Sequence, residues 1–349
     1  MKASQVVHFL LAAFTARQPA ILVGGPGCAK TSLVEQVAKM LGLDIMVSHP
    51  VVNNPTDYKG LPWVSKDKKS ATWLPFGDLD RALNATEPLV WFLDDLGQAP
   101  ASVQAAAMQL LLARRINGHK IPDCVTFAAA TNRRSDRAGV SGMLEPVKSR
   151  FASIIEVEAD VEEWCDWAIG ADIHPIVMAA IDDRYLPLND FQPTADMTNS
   201  PTPRTWEFVS KMLSWTVDGE PMWEDVLAEA IQGAVGTAEA AKFMAFRKTH
   251  AQLPSANAML ADPEAHDVAN ESPSVLYALT AALARKATAS NLSSICRIAE
   301  RCLEGGRGEF GSLLVRFTLK CDPTLAETPE YAALNTGPVG ALMHGDHIK

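Results

Sequence analysis

Eight residues, Gly24-Gly25-Pro26-Gly27-Cys28-Ala29-Lys30-Thr31, carry the clearest chemistry in this chain of 349 residues. Glycines let successive backbone N–H groups turn inward on an anion. The start of a following helix adds unpaired donors and a partial positive charge. A lysine placed like Lys30 reaches β- and γ-phosphate oxygens, and the hydroxyl of Thr31 is a hard oxygen ligand for Mg²⁺. Gly25, Pro26, Gly27, Cys28, Ala29, Lys30, Thr31 and Ser32 are therefore the candidate nucleotide-binding residues. Ala29 stands where the phosphate-loop pattern has its last glycine. Cys28 reads as a small loop filler in preference to an oxidation-sensitive thiol.

Two further groups of residues have the types and places to work with that loop. The apolar run 89–93 ends in Asp94-Asp95. A buried parallel strand delivers the side chains at its carboxyl end to the ligand crevice, so Asp94 is placed to hold Mg²⁺ and Asp95 to polarise an attacking water. A second buried run, 125–130, ends at Thr131-Asn132. There the Asn132 amide is placed to orient water and sense a γ-phosphate.

Elements that can position these residues are legible. Residues 20–23 form a short apolar strand, and Leu33, Val34, Val37, Ala38 and Leu41 recur at helical spacing after the loop. Val6, Leu10 and Phe14 mark one face of a helix following Ser4. Gly42 stops the helix after the loop, residues 44–47 read as a strand, and 53–60 as a turn-rich stretch. Residues 61–64 and 71–74 predict a hairpin with Trp63 and Trp73 facing each other across it. Pattern alone leaves this hairpin as either a solvated surface feature or a protruding substrate-contacting loop, with Lys66, Lys68 and Lys69 at its tip. A helix is expected over 102–114, a tight Asn117-Gly118 hairpin after it with His119 as a solvated turn residue, and a last strand over 153–157.

From Asp160 the pattern turns helical, with helices expected over 161–169, 172–181, 204–215, 224–233 and 237–249. Residues 254–273 read as an acidic linker, and 274–287 with 291–303 as an antiparallel helical pair. Residues 309–321 read as the last helix, and the chain from Asp322 as irregular. His344 and His347 lack the company of carboxylates or cysteines that a metal needs.

Composition narrows the function classes. The charge balance is 31 − 41 = −10, which argues against nucleic acid as the main partner. Six scattered cysteines with no CxxC pair suit reduced thiols in the cytoplasm, not a disulfide framework or a zinc site. No stretch approaches the roughly 20 apolar residues that span a membrane.

The order of phosphate loop, Asp-Asp strand, Asn-ended strand, Ser149-Arg150-Phe151 and Thr202-Pro203-Arg204 resembles the AAA+ ATPases, and within them the MoxR-like group, over roughly residues 5–247. Ala before the lysine is a frequent form of the MoxR loop. The resemblance implies an α/β fold: a five-stranded parallel P-loop αβα sandwich, then an α-helical lid and C-terminal helices. The expected domains are 1–159, 160–253 and 254–349. It makes Asp94-Asp95 the Walker B pair, with Asp95 in place of the usual Glu and one methylene shorter. Asn132 becomes sensor 1, Arg150 an arginine finger acting on a neighbouring subunit, and Arg204 sensor 2. Arg133, Arg134 and Arg137 follow sensor 1, where trans contacts or plain solvation are both open.

The same resemblance implies ATP and Mg²⁺ as ligands and a homo-oligomeric ring, expected to be a hexamer. It also implies a von Willebrand A-domain partner and a protein client to remodel or activate. Two other readings stay open: a nucleotide-gated binding scaffold with little hydrolysis, motivated by Asp95, and a DNA-directed AAA+ motor using the lysine-rich hairpin tip.

Overall fold

The computed structural model describes residues 1–64, 70–136, 142–182, 184–194, 196–249 and 255–343. Lys66, Lys68, Lys69, Arg137, His344 and His347 lie outside the described residues. The chain divides into two compact units. One comprises Met1–Asp160, Phe191–Met197 and Thr202–Arg204; the other comprises Val161–Asp190, Thr198–Pro201 and Thr205–Lys349.

The strands of the first unit are, in chain order, β1 (Ala20–Val23), β2 (Asp44–Ser48), β3 (Leu61–Val64), β4 (Ala71–Leu74), β5 (Leu89–Leu93), β6 (Arg115–Ile116), β7 (His119–Lys120), β8 (Val125–Thr131) and β9 (Ser153–Glu156). Five of them form one parallel sheet in the order β2-β5-β8-β1-β9. Alternating side chains bury both of its faces. Leu22, Val90, Phe92, Ala128 and Ala130 join Val6, Leu10, Phe14, Leu33, Val34 and Val37 in one core. Ile21, Trp91, Leu93, Phe127 and Ala129 join Tyr58, Leu79, Val103, Ala106, Leu110 and Val147 in the other. A sheet covered on both faces reads as continuous apolar runs, which is how β5 and β8 read.

The two hairpins hold a correction. β3 and β4 pair as expected, but Trp73 lies opposite Pro62 and Trp63 opposite Thr72. Side chains alternate faces along a strand, so the two tryptophans project from opposite faces and do not pair. The Asn117-Gly118 turn closes β6 on β7 with both φ angles positive, at 47° and 87°, the combination that favours Asn-Gly. This second hairpin reaches the first and the residue that leads into it: His119 Nε2 lies 3.1 Å from the Trp73 carbonyl oxygen, and Asn117 Nδ2 donates to the Lys59 carbonyl at 2.7 Å. His119 thus has a backbone partner besides solvent. The stretch expected as turns contains a short helix, Pro55–Lys59, with Asn54 and Asp57 forming a capping box.

The second unit is dominated by helices: Val161–Gly170, Pro175–Asp182, Pro203–Met212 (whose first two residues belong to the first unit), Glu224–Val235 and Thr237–Thr249, then Ala256–Ala261, Pro273–Ala284, Leu292–Glu304, Gly308–Cys321, Pro329–Thr336 and Pro338–Met343. The helix expected from 172 starts at Pro175, because His174 Nδ1 accepts from the Ile176 amide at 3.2 Å and caps it. Residues expected as a linker instead carry the helix Ala256–Ala261, which buries Ala256 and Met259.

Pro273–Ala284 and Leu292–Glu304 each pack chiefly on Gly308–Cys321 and not on each other. Gly311 serves the second of these contacts: a Cβ there would stand 2.5 Å from the Ala299 carbonyl oxygen, so the missing side chain lets the backbones of Leu292–Glu304 and Gly308–Cys321 close. Among the described residues, the stretch from 323 to 343, expected as irregular, is mostly helical. Proline begins each of its elements, and Asp322 and Thr328 accept from the Thr324 and Tyr331 amides as caps.

Candidate nucleotide site

The loop after β1 is held before any ligand enters. Lys30 Nζ donates to the carbonyls of Gly24 and Gly25, both at 2.9 Å, and to Asn132 Oδ1 at 2.8 Å. Burial pushes the Lys30 ammonium below its ordinary pKa; nearby Cys28, Asp95 and Asp94 oppose that shift and Arg204 adds to it. A buried cation satisfied by neutral carbonyls gains from an anion. Phosphate oxygens are the anions for which that geometry is suited.

Ala29, the departure from the loop pattern, has φ 57° and ψ 20° and caps the helix Lys30–Met40. This is the left-handed region in which glycine is the least strained residue, so the pattern's glycine has a conformational reason and Ala29 bears the strain. Burial raises the Cys28 thiol above its ordinary pKa, which keeps it in the unreactive form and suits a packing role. Ser32 is exposed in the first helical turn, and Pro26 is half-buried between glycines.

Thr31 Oγ1 donates to Asp94 Oδ2 at 2.9 Å. A hydroxyl and a carboxylate this close are two hard oxygens on one side of the loop, a donor set that fits Mg²⁺ completed by phosphate oxygens and water. Asp95 leaves the strand in the left-handed region, φ 58° and ψ 32°. Its Oδ1 accepts from Gln98 Nε2 at 2.7 Å. Arg204 is exposed in the first turn of Pro203–Met212 and stands over the loop: a Cβ on Gly27 would lie 3.2 Å from Arg204 Cβ and 2.8 Å from Thr202 Oγ1.

Thus Lys30, Thr31, Asp94, Asp95, Asn132 and Arg204 come together. Arg150 does not join them. Its guanidinium donates to the Pro146 carbonyl, in the short helix Glu145–Lys148 that precedes it. Arg133 pairs with Glu156 at 2.6 Å. Sequence reasoning passed over Gln98 and Thr131, whose hydroxyl donates to Gln98 Oε1 at 3.3 Å; a glutamine three residues past an acidic pair has no motif to announce it.

Residues 19–151 match the family model described as AAA domain (dynein-related subfamily). This part of the chain is an AAA domain. The match takes in the phosphate loop, the Asp94-Asp95 strand, Asn132 and Arg150, and the AAA domain is a nucleotide-binding module. Among solved structures, the chain is similar to the RuvB Holliday junction branch migration motor of Thermotoga maritima, at 18% identity, 87% of each chain covered and a TM-score of 0.39. It is also similar to NtrX from Brucella abortus in complex with ADP, at 12% identity, 93% of this chain and 68% of that chain covered, and a TM-score of 0.42. No curated protein sequence matches the chain. No described helix is long and apolar enough to cross a membrane.

Proposed function

We propose that the chain is an ATP-hydrolysing ring protein of the MoxR-like type, which remodels or activates a protein client together with a von Willebrand A-domain partner. The observation that carries the hydrolase reading is the convergence of the Lys30 ammonium, the Thr31–Asp94 oxygen pair, Asn132 and Asp95 at the carboxyl ends of β5 and β8 and on the loop after β1. In this reading Lys30 and Arg204 hold the γ-phosphate, Thr31 and Asp94 ligate Mg²⁺, and Asp95 and Asn132 orient water. ATP and water become ADP and phosphate. The expected domain division, with core 1–159, lid 160–253 and extension 254–349, belongs to the same proposal.

Arg150 supports a shared site. It stands at the end of Glu145–Lys148 with no bond to the loop of its own chain, and a guanidinium supplied in trans is worth on the order of 10³–10⁵ in rate in related NTPases. Phosphate release on the assembled protein tests both statements. Arg150→Ala should keep ATP binding and lose most turnover. Mixing it with Lys30→Ala, which is dead in its own loop but intact at Arg150, should restore part of it. An Arg150→Ala ring that hydrolyses ATP normally removes the trans role.

The second reading, a nucleotide-gated scaffold, is favoured by the acid itself: Asp95 is one methylene shorter than the glutamate usual at this place in the family the chain resembles. Wild type and Asp95→Asn releasing phosphate at the same negligible rate would establish it.

A further inference from the structure

We propose that Gln98 is a positioning residue for Asp95 in hydrolysis, a role that rests on the ATPase reading. Asp94 and Asp95 leave β5 by different routes. Asp94 turns to the Thr31 hydroxyl, while Asp95 adopts left-handed backbone and opens the single 3₁₀ turn Leu96–Gln98. The Gln98 amide N–H donates to the Asp95 carbonyl at 3.0 Å, which brings the glutamine side chain back over the acid.

Both ends of the Gln98 side-chain amide are in use. Its nitrogen donates to Asp95 Oδ1 at 2.7 Å, and its oxygen lies 3.3 Å from Thr131 Oγ1, whose single proton it shares with the Asn132 carbonyl at 3.2 Å. Gly97 makes this approach possible, because a Cβ there would fall 2.1 Å from the Thr131 hydroxyl oxygen. Another glutamine nearby gives the contrast. Gln104 is buried, and its amide serves backbone groups: the carbonyls of Ala99 and Gly142 and the amide of Leu144. Gln104 holds loops together. Gln98 connects functional side chains.

An unrestrained aspartate carboxylate turns about two side-chain bonds. With Oδ1 fixed by Gln98, Oδ2 keeps a defined direction in which to accept from water. Thr131 immediately precedes Asn132, whose Oδ1 accepts from Lys30 Nζ at 2.8 Å. Gln98 therefore joins the water-orienting acid to the strand end that carries Asn132, which itself contacts Lys30. Correct placement of a reacting group is worth a great deal: a misplacement of about 1 Å can cost on the order of 100-fold.

The test uses full-length protein and compares wild type, Gln98→Ala, Thr131→Val, Asp95→Asn and the Gln98→Ala/Asp95→Asn double variant. Turnover is read by steady-state and single-turnover phosphate release, affinity by a fluorescent ATP analogue with Mg²⁺, and folding by thermal melting. Gln98→Ala should lower kcat about tenfold while KM and nucleotide affinity stay within about twofold. Thr131→Val, which removes the hydroxyl anchor with little change of shape, should lower kcat in the same direction by less. In the Asp95→Asn background, Gln98→Ala should remove no further turnover. Unchanged kcat in Gln98→Ala, losses that multiply in the double variant, or a loss confined to KM overturns the role. If Gln98→Ala does not fold, Thr131→Val decides by the same kcat-against-KM criterion. A wild type that binds the analogue and releases no phosphate overturns the ATPase reading and the role together, whereas an active wild type with an equally active Gln98→Ala overturns the role alone.

Discussion

Replacing Ala29 by glycine should stabilise the first unit, and placing alanine at Gly27, two residues earlier, should damage it. Ala29 holds φ 57° with its side chain exposed, and left-handed backbone costs an L-residue about 1–2 kcal/mol. Ala29→Gly removes that strain, and the extra freedom of glycine in the unfolded chain gives back about 0.4–1 kcal/mol. The net gain is about 0.5–1 kcal/mol, a rise of about 1–4 °C in melting temperature for a unit of this size. Gly27 has φ 75°, and a Cβ on it would meet Thr202 Oγ1 at 2.8 Å and Thr202 Cβ at 3.0 Å. Gly27→Ala combines a left-handed penalty of the same size with overpacking of about 1–3 kcal/mol, giving a loss of about 2–3 kcal/mol after the same entropy correction. Urea unfolding of the nucleotide-free protein reads the stabilities, and titration with a fluorescent ATP analogue reads the loop. Ala29→Gly should keep affinity within a few-fold, while Gly27→Ala should lose at least about tenfold as the Thr202–Arg204 segment is displaced. An Ala29→Gly protein less stable than wild type, or a Gly27→Ala protein equal to it, refutes the conformational account of the loop.

Two pH dependences follow from buried cationic groups. Burial depresses Lys30, so between its folded pKa and the unfolded value of 10.5 the unfolded chain binds more protons. Stability of the nucleotide-free protein should accordingly rise with pH through that alkaline window, and Lys30→Met should flatten the rise in a urea-midpoint series. His174 is pushed down to about 4 by burial, with Arg285 and Arg247 adding to the shift. Its stabilising contribution is complete above the ordinary histidine value of 6.5 and is lost as pH falls toward 4; His174→Asn, which can still cap Pro175–Asp182 but does not titrate, should reduce that acid loss in the same measurement.

Much of the first unit was legible because its elements obey local rules. Strand, glycine-rich loop and helix follow one another within residues 20–40, and two apolar runs stop at polar residues where a parallel sheet presents its ligand edge. Other features depend on partners far away in sequence. The register of β3 on β4 separates Trp63 from Trp73, and His119 of the other hairpin lies against the Trp73 carbonyl. The packing of Gly308–Cys321 against Leu292–Glu304 uses one close approach at Gly311. The C-terminal helices had a local signal, proline after a capping residue in Asp322-Pro323 and Thr328-Pro329, which weak apolar periodicity obscured.

The sequence by itself determined the phosphate loop, the acidic and amide residues at the strand ends, and the change to a helical second unit, because residue type and short-range spacing suffice for each. Only the tertiary structure decided that Ala29 occupies the conformation its glycine alternative would relax, that Thr31 and Asp94 meet at 2.9 Å, and that Gln98 links Asp95 to Thr131. Those contacts join residues from separate strands and turns. Their distances are products of sheet order and backbone conformation, which no local pattern encodes.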